Sequence, residues 1–344
     1  VITQLFTGLH ESLKNSLVTI KHGFAKIQTS HEVIIEETNE TVKGKFIIIS
    51  VGSRTYIPKS YADAHTKTKV ITHESILDLS KIPQKLAIIG GGYIGCEWAH
   101  IMEYYGSNVT IVEKADTILE GQDPDAVREI KRAYEKRKIT ILTNTSEIDV
   151  TKYDALMIAT GRIPNIENIG LNTIGVEYTS EGIEVNEYCK TNVPNVYAIG
   201  DCIDRPYRLA HTAEHEGIVA VENALQLSKR TINYENIPSI LFTAPQIMSV
   251  GKKEHILEQG TFKKGRAWLK GNARALCENK TDGFVKILTK KDGKIIGAVS
   301  VGKIDLHEVS VAIEASMNVE QYKSIVRFHP SLNESIITAL ENLR

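Results

Sequence analysis

Between Lys85 and Glu113 the chain reads KLAIIGGGYIGCEWAHIMEYYGSNVTIVE, and few architectures accept such a stretch. Leu86, Ala87, Ile88 and Ile89 make an apolar run suited to a strand buried on both faces, and Gly90, Gly91 and Gly92 stop it. Ile94, Trp98, Ile101, Met102 and Tyr105 then recur at helical spacing, which predicts a helix over 93–105 ended by Gly106 and Ser107. Val109 and Ile111 give a second strand with Glu113 at its tip. Gly90, Gly92 and Gly95 are therefore a G-x-G-x-x-G lying between strand and helix, with an acid 23 residues after the first glycine.

That order is what a bound dinucleotide requires. Gly90 permits the turn, Gly92 lets backbone approach a pyrophosphate, and Gly95 brings helix against strand, while Gly91, Tyr93 and Ile94 complete the loop and the first helical turn. The helix N-terminus supplies N–H groups and the positive end of its dipole. Glu113 would accept from ribose hydroxyls and repel a 2′-phosphate, which favours NAD over NADP. A glycine turn in an ordinary βαβ unit is the alternative.

The rest of the chain is long enough for two or three domains. With a formal charge of -1 it carries no electrostatic signature of a nucleic-acid or anionic-membrane partner. No apolar run reaches the roughly 20 residues of a membrane helix, so a soluble protein of the cytoplasm or an organelle matrix is expected. Cys96, Cys189, Cys202 and Cys277 show no metal spacing and read as free buried thiols in a reducing compartment, with no metal site expected.

Read in order, 2–15 is predicted as an amphipathic helix, and 17–21, 24–29, 32–37 and 41–45 as a series of short strands before a buried strand at 46–50. Residues 54–84 suit a connection with a short helix at 74–79. A helix is predicted from Pro124 to Lys136 with Asp123 as its cap, then strands at 139–142, 155–159 and 196–199, and a helix over 210–227. After Pro238 come strands at 240–243, 246–250, 267–270, 284–288 and 295–301, with a turn at Asp292-Gly293, and helices at 306–316, 319–325 and 334–343. This is a separate α+β domain.

Taken together, the glycine loop with Glu113, then Ala159-Thr160-Gly161-Arg162, Ala198-Ile199-Gly200-Asp201, Leu209-Ala210-His211, and His329-Pro330 with Glu334, resembles the pyridine nucleotide-disulfide oxidoreductases, most of all their dihydrolipoamide dehydrogenase branch. The resemblance spans essentially the whole chain. It implies an α/β fold with two Rossmann-like nucleotide-binding domains and a C-terminal α+β dimerisation domain. A discontinuous FAD domain would occupy 1–77 and 151–229, the NAD domain 78–150, and the interface domain 236–344. It further implies an NAD-dependent flavoprotein that moves electrons from a small dithiol through FAD to NAD, as a homodimer, with lipoyl domains of 2-oxo acid dehydrogenase complexes among the partners of that branch.

Carried over residue by residue, the resemblance makes Gly200 and Asp201 the second flavin motif, with an aspartate that caps a helix as the lesser alternative. Arg208, Leu209, Ala210 and His211 would lie against the flavin ring. Gly52 and Ser53 would stand in the first Thr-Gly-Ser turn near FAD, with Val51 in place of the threonine. Tyr93 would shutter the nicotinamide pocket, or pack as an ordinary helix residue. Glu97 would be the carboxylate beside the nicotinamide, or part of a solvated face. His329 would be the acid/base and Glu334 its orienter, with Ser331 and Asn333 departing from the family's His-Pro-Thr-x-Ser-Glu.

Two family features are not among the 344 residues: the C-x-x-x-x-C redox pair and the first G-x-G-x-x-G, which binds the ADP half of FAD. The expectation is a chain that starts downstream of both, with a FAD sheet short of its first strand and a shortened stretch over 142–155. A non-catalytic NAD-binding dimerising remnant and a transhydrogenase-like flavin enzyme without a disulfide are the alternatives.

Overall fold

The structure, a computed structural model, describes residues 1–62 and 68–344; residues 63–67 of the predicted 54–84 connection lie outside the described residues. The chain divides into two compact units, Val1–Ser53 with Pro164–Ile232, and Arg54–Ile163 with Asn233–Arg344.

In the first unit the helix Ile2–Asn15 forms with the predicted bounds and buries none of its residues. No strand follows at 17–21. Leu17 takes a left-handed backbone at φ 59° just past the helix end, and the chain stays irregular until Ala25. Ala25–Thr29, Glu32–Ile35 and Glu40–Lys43 then make an antiparallel meander. Ile47–Ile49 runs parallel to Val196–Ala198, so the turns that follow both strands emerge at one end of the pair. Ile27, Ile49, Ile183, Val196, Ala198 and Cys202 form the apolar core around them, and Val219 and Ala220 of the helix Ala210–Ala224 pack with Tyr197.

The second unit holds a five-stranded parallel sheet in the order Lys69–Thr72, Ala155–Ile158, Lys85–Ile89, Asn108–Val112, Thr140–Leu142. Its inner strands are buried along nearly their whole length, as an all-parallel sheet covered on both faces demands. The two strands Lys69–Thr72 and Ala155–Ile158 come from outside the 78–150 segment, and Ala155–Ile158 pairs directly with the strand that enters the glycine loop. Residues 143–154 carry no strand, only the 3-10 turn Val150–Lys152, and the predicted helix at 74–79 is a 3-10 turn, Ser75–Asp78. Pro124–Lys136 is helical with the Asp123 carboxylate accepting from the N–H groups of Asp125 and Ala126, as predicted.

The C-terminal part of this unit is an antiparallel sheet in the order Ser239–Leu241, Ile247–Gly251, Ile295–Val301, Phe284–Lys290, Phe262–Trp268. Helices His307–Glu314, Val319–Lys323 and Glu334–Glu341 contribute to its core, in which Ile287, Leu306, Val309, Tyr322 and Ile336 are buried. The last strand in the sheet begins five residues before the predicted one, at Phe262. It is an edge strand, and its exposed Lys263 and Lys264 hide it from an apolar pattern while protecting the edge from other chains. The molecule is thus a mixed α/β protein with a Rossmann-like parallel core and a C-terminal antiparallel domain. Among the described residues no helix is long and apolar enough to cross a membrane.

Candidate active site

The glycine corner is built by close approach. Gly90 has φ 108°, and a Cβ there would lie 2.3 Å from the Ala159 carbonyl oxygen; a Cβ on Gly95 would lie 1.9 Å from the Gly90 carbonyl oxygen. Gly92 differs from both: no atom comes within 4 Å of where its Cβ would be. It is the N-cap of the helix Tyr93–Tyr104, and no side chain caps that end. The corner therefore offers an uncapped helix N-terminus beneath open space, which suits a phosphate group.

Glu113 closes the corner from the next strand. One carboxylate oxygen accepts the Gly91 N–H at 2.7 Å and the other accepts the Ala115 N–H at 2.8 Å, so the carboxylate is fixed beside the loop. Ile94 is half-buried and packs against the core under the sheet. Tyr93 is also half-buried; its hydroxyl donates to Ser239 Oγ at 3.1 Å and accepts from Gln122 Nε2. Glu97, one turn further on, accepts the Phe242 N–H at 2.8 Å. Burial raises its carboxyl above the usual range, and that backbone hydrogen bond partly offsets the shift. Gly161, at φ 120°, accepts from the Tyr56 N–H at 3.0 Å.

A second cluster lies in the other unit, where the parallel strands Ile47–Ile49 and Val196–Ala198 end. Ser53 Oγ donates to Asp201 Oδ2 at 2.6 Å, and the Asn165 N–H donates to the Gly52 carbonyl at 2.9 Å. The Gly200 N–H donates to Glu216 Oε2 at 2.6 Å. Two turns separated by 148 residues are thereby joined at one strand end, the position at which open α/β sheets hold ligands. Leu209 is the N-cap of Ala210–Ala224, again without a side-chain cap, and Ala210 and His211 are exposed at its start. Arg208 turns to Glu181, donating to its carbonyl at 2.8 Å and pairing with its carboxylate at 3.7 Å. The Thr212 hydroxyl in the first turn is buried without a hydrogen-bond partner. A buried hydroxyl left unmatched beside an uncapped helix start fits a site for a polar, electron-accepting ring.

The third element is a pair. His329 Nδ1 lies 2.9 Å from Glu334 Oε1, and the other oxygen accepts the Ser331 N–H at 2.7 Å. The Ser331 N–H, then His329, hold the Glu334 carboxyl below its usual range. A carboxylate only accepts, so the proton of a neutral His329 sits on Nδ1 and Nε2 is left as the basic nitrogen. The ring is largely exposed.

Some groups in these clusters are not evident from motifs. Glu216 is 1% exposed and buttresses Gly200. Its signal was present: Thr212, Glu216, Val219 and Ala220 share the buried stripe of one helix. Gln122, Ser239 and Ser249, which surround the Tyr93 hydroxyl, come from three segments and carry no local signature. All four cysteines are unpaired; Cys96, Cys189 and Cys202 are buried as expected, whereas Cys277, at the end of a short helix, is exposed, and among the described residues no cluster could hold a metal ion.

Comparison with known proteins decides the family. The family model for pyridine nucleotide-disulphide oxidoreductase matches residues 1–217, and that for the dimerisation domain of the same family matches residues 237–340. The chain belongs to the pyridine nucleotide-disulphide oxidoreductases. Within that family it is 34% identical to a dihydrolipoyl dehydrogenase of Bacillus subtilis, over 99% of this chain and 78% of the other. It is 32% identical to the dihydrolipoyl dehydrogenase of Geobacillus stearothermophilus, over 99% and 77%, and to the mitochondrial one of Pisum sativum, over 97% and 72%. Its fold is similar to that of RclA, an HOCl-induced flavoprotein disulfide reductase from Escherichia coli, with a TM-score of 0.90 at 23% identity over 99% of this chain and 83% of the other.

Proposed function

We propose that this chain serves a flavoprotein disulfide oxidoreductase of the dihydrolipoyl dehydrogenase type, which passes electrons between a small dithiol and NAD by way of FAD. The observation that carries the reading is the glycine corner: an uncapped helix N-terminus under open space at Gly92, with the Glu113 carboxylate fixed beside it. The identity of 32–34% to proteins named dihydrolipoyl dehydrogenase supports it.

In this reading the backbone of Gly90 to Gly95 holds the dinucleotide pyrophosphate, and Glu113 accepts the adenosine ribose hydroxyls. Gly52, Ser53, Gly200 and Asp201 hold the polar chain of FAD, and the start of the helix Ala210–Ala224 faces its ring, with Arg208 and Leu209 leading into that helix. When bound, FAD supplies the two-electron acceptor between dithiol and nicotinamide. Glu97 borders the nicotinamide end, and Gly161 shapes the turn after the central strand. His329 takes a thiol proton at Nε2 while Glu334 keeps the ring in that tautomer. The flavin role falls to 1–53 with 164–232, the NAD role to the parallel sheet spanning 69–158, and dimerisation to 236–344. We place the protein in the cytoplasm as a homodimer, acting on a small disulfide or a lipoyl domain.

The test is anaerobic absorbance spectroscopy of the purified chain after incubation with FAD, followed by NADH. Retention of flavin through gel filtration and bleaching of its visible band by NADH are expected. Binding of NADH without flavin uptake or diaphorase activity leaves only a nucleotide-binding, non-catalytic module. Binding of neither nucleotide rules the proposal out.

A further inference from the structure

His73 ties two other segments of the second unit together through its two ring nitrogens. Nδ1 lies 3.1 Å from the Thr55 hydroxyl, and Nε2 lies 2.7 Å from Arg162 Nη1. A guanidinium only donates, so Nε2 accepts, the ring is neutral, and its proton sits on Nδ1 and is donated to Thr55. The same Nε2 has a second neighbour, the Glu74 carboxylate at 3.5 Å. Among the described residues Arg162 and Glu74 are the charged groups that face the ring.

Nε2 therefore has a partner for each of its protonation states. A proton on it ends the hydrogen bond from Arg162 and sets two cations against each other, while giving Glu74 a charged N–H to accept. The Nδ1–H stays on Thr55 in both states, so Thr55 is the pivot. Burial of the half-buried ring, then the Arg162 charge, pushes His73 below the ordinary histidine value, and Glu74 pulls the other way. A histidine lowered on folding adds stability that is fully present above its unfolded value, about 6.5, and is lost as pH falls through the folded one.

These groups stand at the ligand end of the parallel sheet. Thr72 and Ile158 are register partners on the parallel strands Lys69–Thr72 and Ala155–Ile158, so His73 and Ala159 leave the sheet side by side. Ala159 braces the glycine corner: its N–H donates to the Ile89 carbonyl at 2.8 Å, and its carbonyl oxygen occupies the space a Cβ on Gly90 would need. The turn Thr160-Gly161-Arg162 follows at once. The Thr160 hydroxyl donates to the Tyr56 carbonyl at 2.6 Å, and the Tyr56 N–H donates to the Gly161 carbonyl at 3.0 Å. The Arg162 bond to His73 fastens that turn to the neighbouring strand end.

We propose that His73 is a proton-operated switch on the dinucleotide site: neutral, it accepts from Arg162 and steadies the 159–162 turn against Gly90; protonated, it turns Nε2–H to Glu74 and releases that turn. The switch rests on the reading of Gly90 to Gly95 as that site. Mild acid then loosens the backbone that braces the corner, and the nucleotide is held less tightly. His73 acts through the turn, as a positioning residue that touches neither the nucleotide nor the reacting atoms. The movement required is small, because Nε2 exchanges a partner at 2.7 Å for one at 3.5 Å.

The test is amide hydrogen exchange over 55–57 and 159–162, corrected for the intrinsic effect of pH, together with NADH affinity read by nicotinamide fluorescence. Both are followed from about pH 8 to about pH 5, a range that brackets histidine titration, on the full chain, His73→Gln and Glu74→Gln. In His73→Gln the amide oxygen replaces Nε2 as the acceptor for Arg162 and does not titrate. In the unsubstituted chain exchange in both segments should quicken by at least about threefold as pH falls, and NADH affinity should weaken by about the same factor beyond any change seen in His73→Gln. His73→Gln should show no such step. Glu74→Gln, at an exposed position that leaves the fold intact, should move the step to lower pH because the protonated ring loses its partner. An exchange step of the same size in His73→Gln, or none in the unsubstituted chain, overturns the switch, and a step that Glu74→Gln leaves in place overturns the exchange of partners. NADH affinity with the same pH dependence in the unsubstituted chain and His73→Gln overturns the link to the site. No NADH binding at any pH, with the histidine-dependent step present, removes the dinucleotide reading and keeps the switch in the turn.

Discussion

The Glu113 carboxylate accepts the Gly91 backbone N–H at 2.7 Å, across 22 residues of sequence. The tip of one strand thus fixes the turn that leaves its neighbour, and the acid that would hold the ribose also braces the loop that would hold the pyrophosphate. Because its second oxygen takes the Ala115 N–H, the carboxylate is oriented before any ligand arrives, which reduces the ordering cost of binding.

Gly92 and Gly95 should separate binding from folding. A Cβ at Gly92 meets nothing within 4 Å, so Gly92→Ala should change unfolding free energy by no more than about 0.5 kcal/mol while filling the space above the helix end. NADH affinity should fall at least about tenfold. A Cβ at Gly95 would strike the Gly90 carbonyl, so Gly95→Ala should cost about 3 kcal/mol of stability. Urea unfolding and NADH titration of the two variants check this; equal loss of stability in both would contradict it.

Glu113→Ala removes both backbone hydrogen bonds and the ribose acceptor together. NADH affinity should drop by about tenfold or more, and the preference for NADH over NADPH should shrink because the repulsion of a 2′-phosphate is gone. Parallel fluorescence titrations with both nucleotides measure the ratio, and an unchanged ratio would count against the role of this carboxylate.

Lys286 is 2% exposed, and its ammonium group sits 2.6 Å from Glu254, 2.7 Å from Asp123 and 3.0 Å from Asp125. Lys286→Ala would leave the buried Asp123 carboxylate and the half-buried Asp125 and Glu254 without their shared cation and should destabilise the protein by about 3 kcal/mol. Urea unfolding monitored by tryptophan fluorescence would show it; a change below about 1 kcal/mol would mean the cluster is solvated.

The same cluster sets an acid limit. Burial opposes ionisation of Glu254, but hydrogen bonds and charge from Lys264 and Lys286 outweigh it and hold its carboxyl below the usual range. A carboxylate depressed on folding contributes fully above its unfolded pKa, about 4.3 for Glu, and loses that contribution as pH falls through the folded value. Stability should therefore decline below about pH 4, and Glu254→Gln should make that decline shallower. An identical pH profile for the variant would exclude Glu254 as a cause.

Thiol labelling should be selective. Cys96 and Cys189 are buried and their thiols are pushed up to about 12 by that burial, Cys202 is buried and raised for the same reason, and Cys277 is exposed. One thiol should react quickly with a disulfide reagent in the native protein and four after denaturation, with the fast one absent from Cys277→Ser. A second fast native thiol would be inconsistent with this burial.

Local signals in the sequence were reliable where local physics decides the outcome. The helix Pro124–Lys136 with its Asp123 cap and the strand Ile295–Val301 have the predicted bounds, because a cap and an apolar run act within a few residues. The strand predicted at 17–21 does not form, because Leu17 adopts a left-handed backbone that apolarity does not report. Ala155–Ile158 reads correctly as a strand, yet its insertion beside Lys85–Ile89 is a non-local choice among parallel partners. At the candidate site, the glycine corner and the His329–Glu334 pair were legible as motifs. The hydrogen bonds of the Tyr93 hydroxyl to Ser239 and Gln122 were not, because those residues meet it only after two sheets have formed.

The most direct measurement is a crystal structure of the chain grown or soaked with saturating NADH. The expected result is a dinucleotide with its pyrophosphate over Gly92 and its adenosine ribose hydroxyls on Glu113. Well-ordered crystals at saturating NADH with no nucleotide at the glycine corner, or with it bound elsewhere, would contradict the assignment.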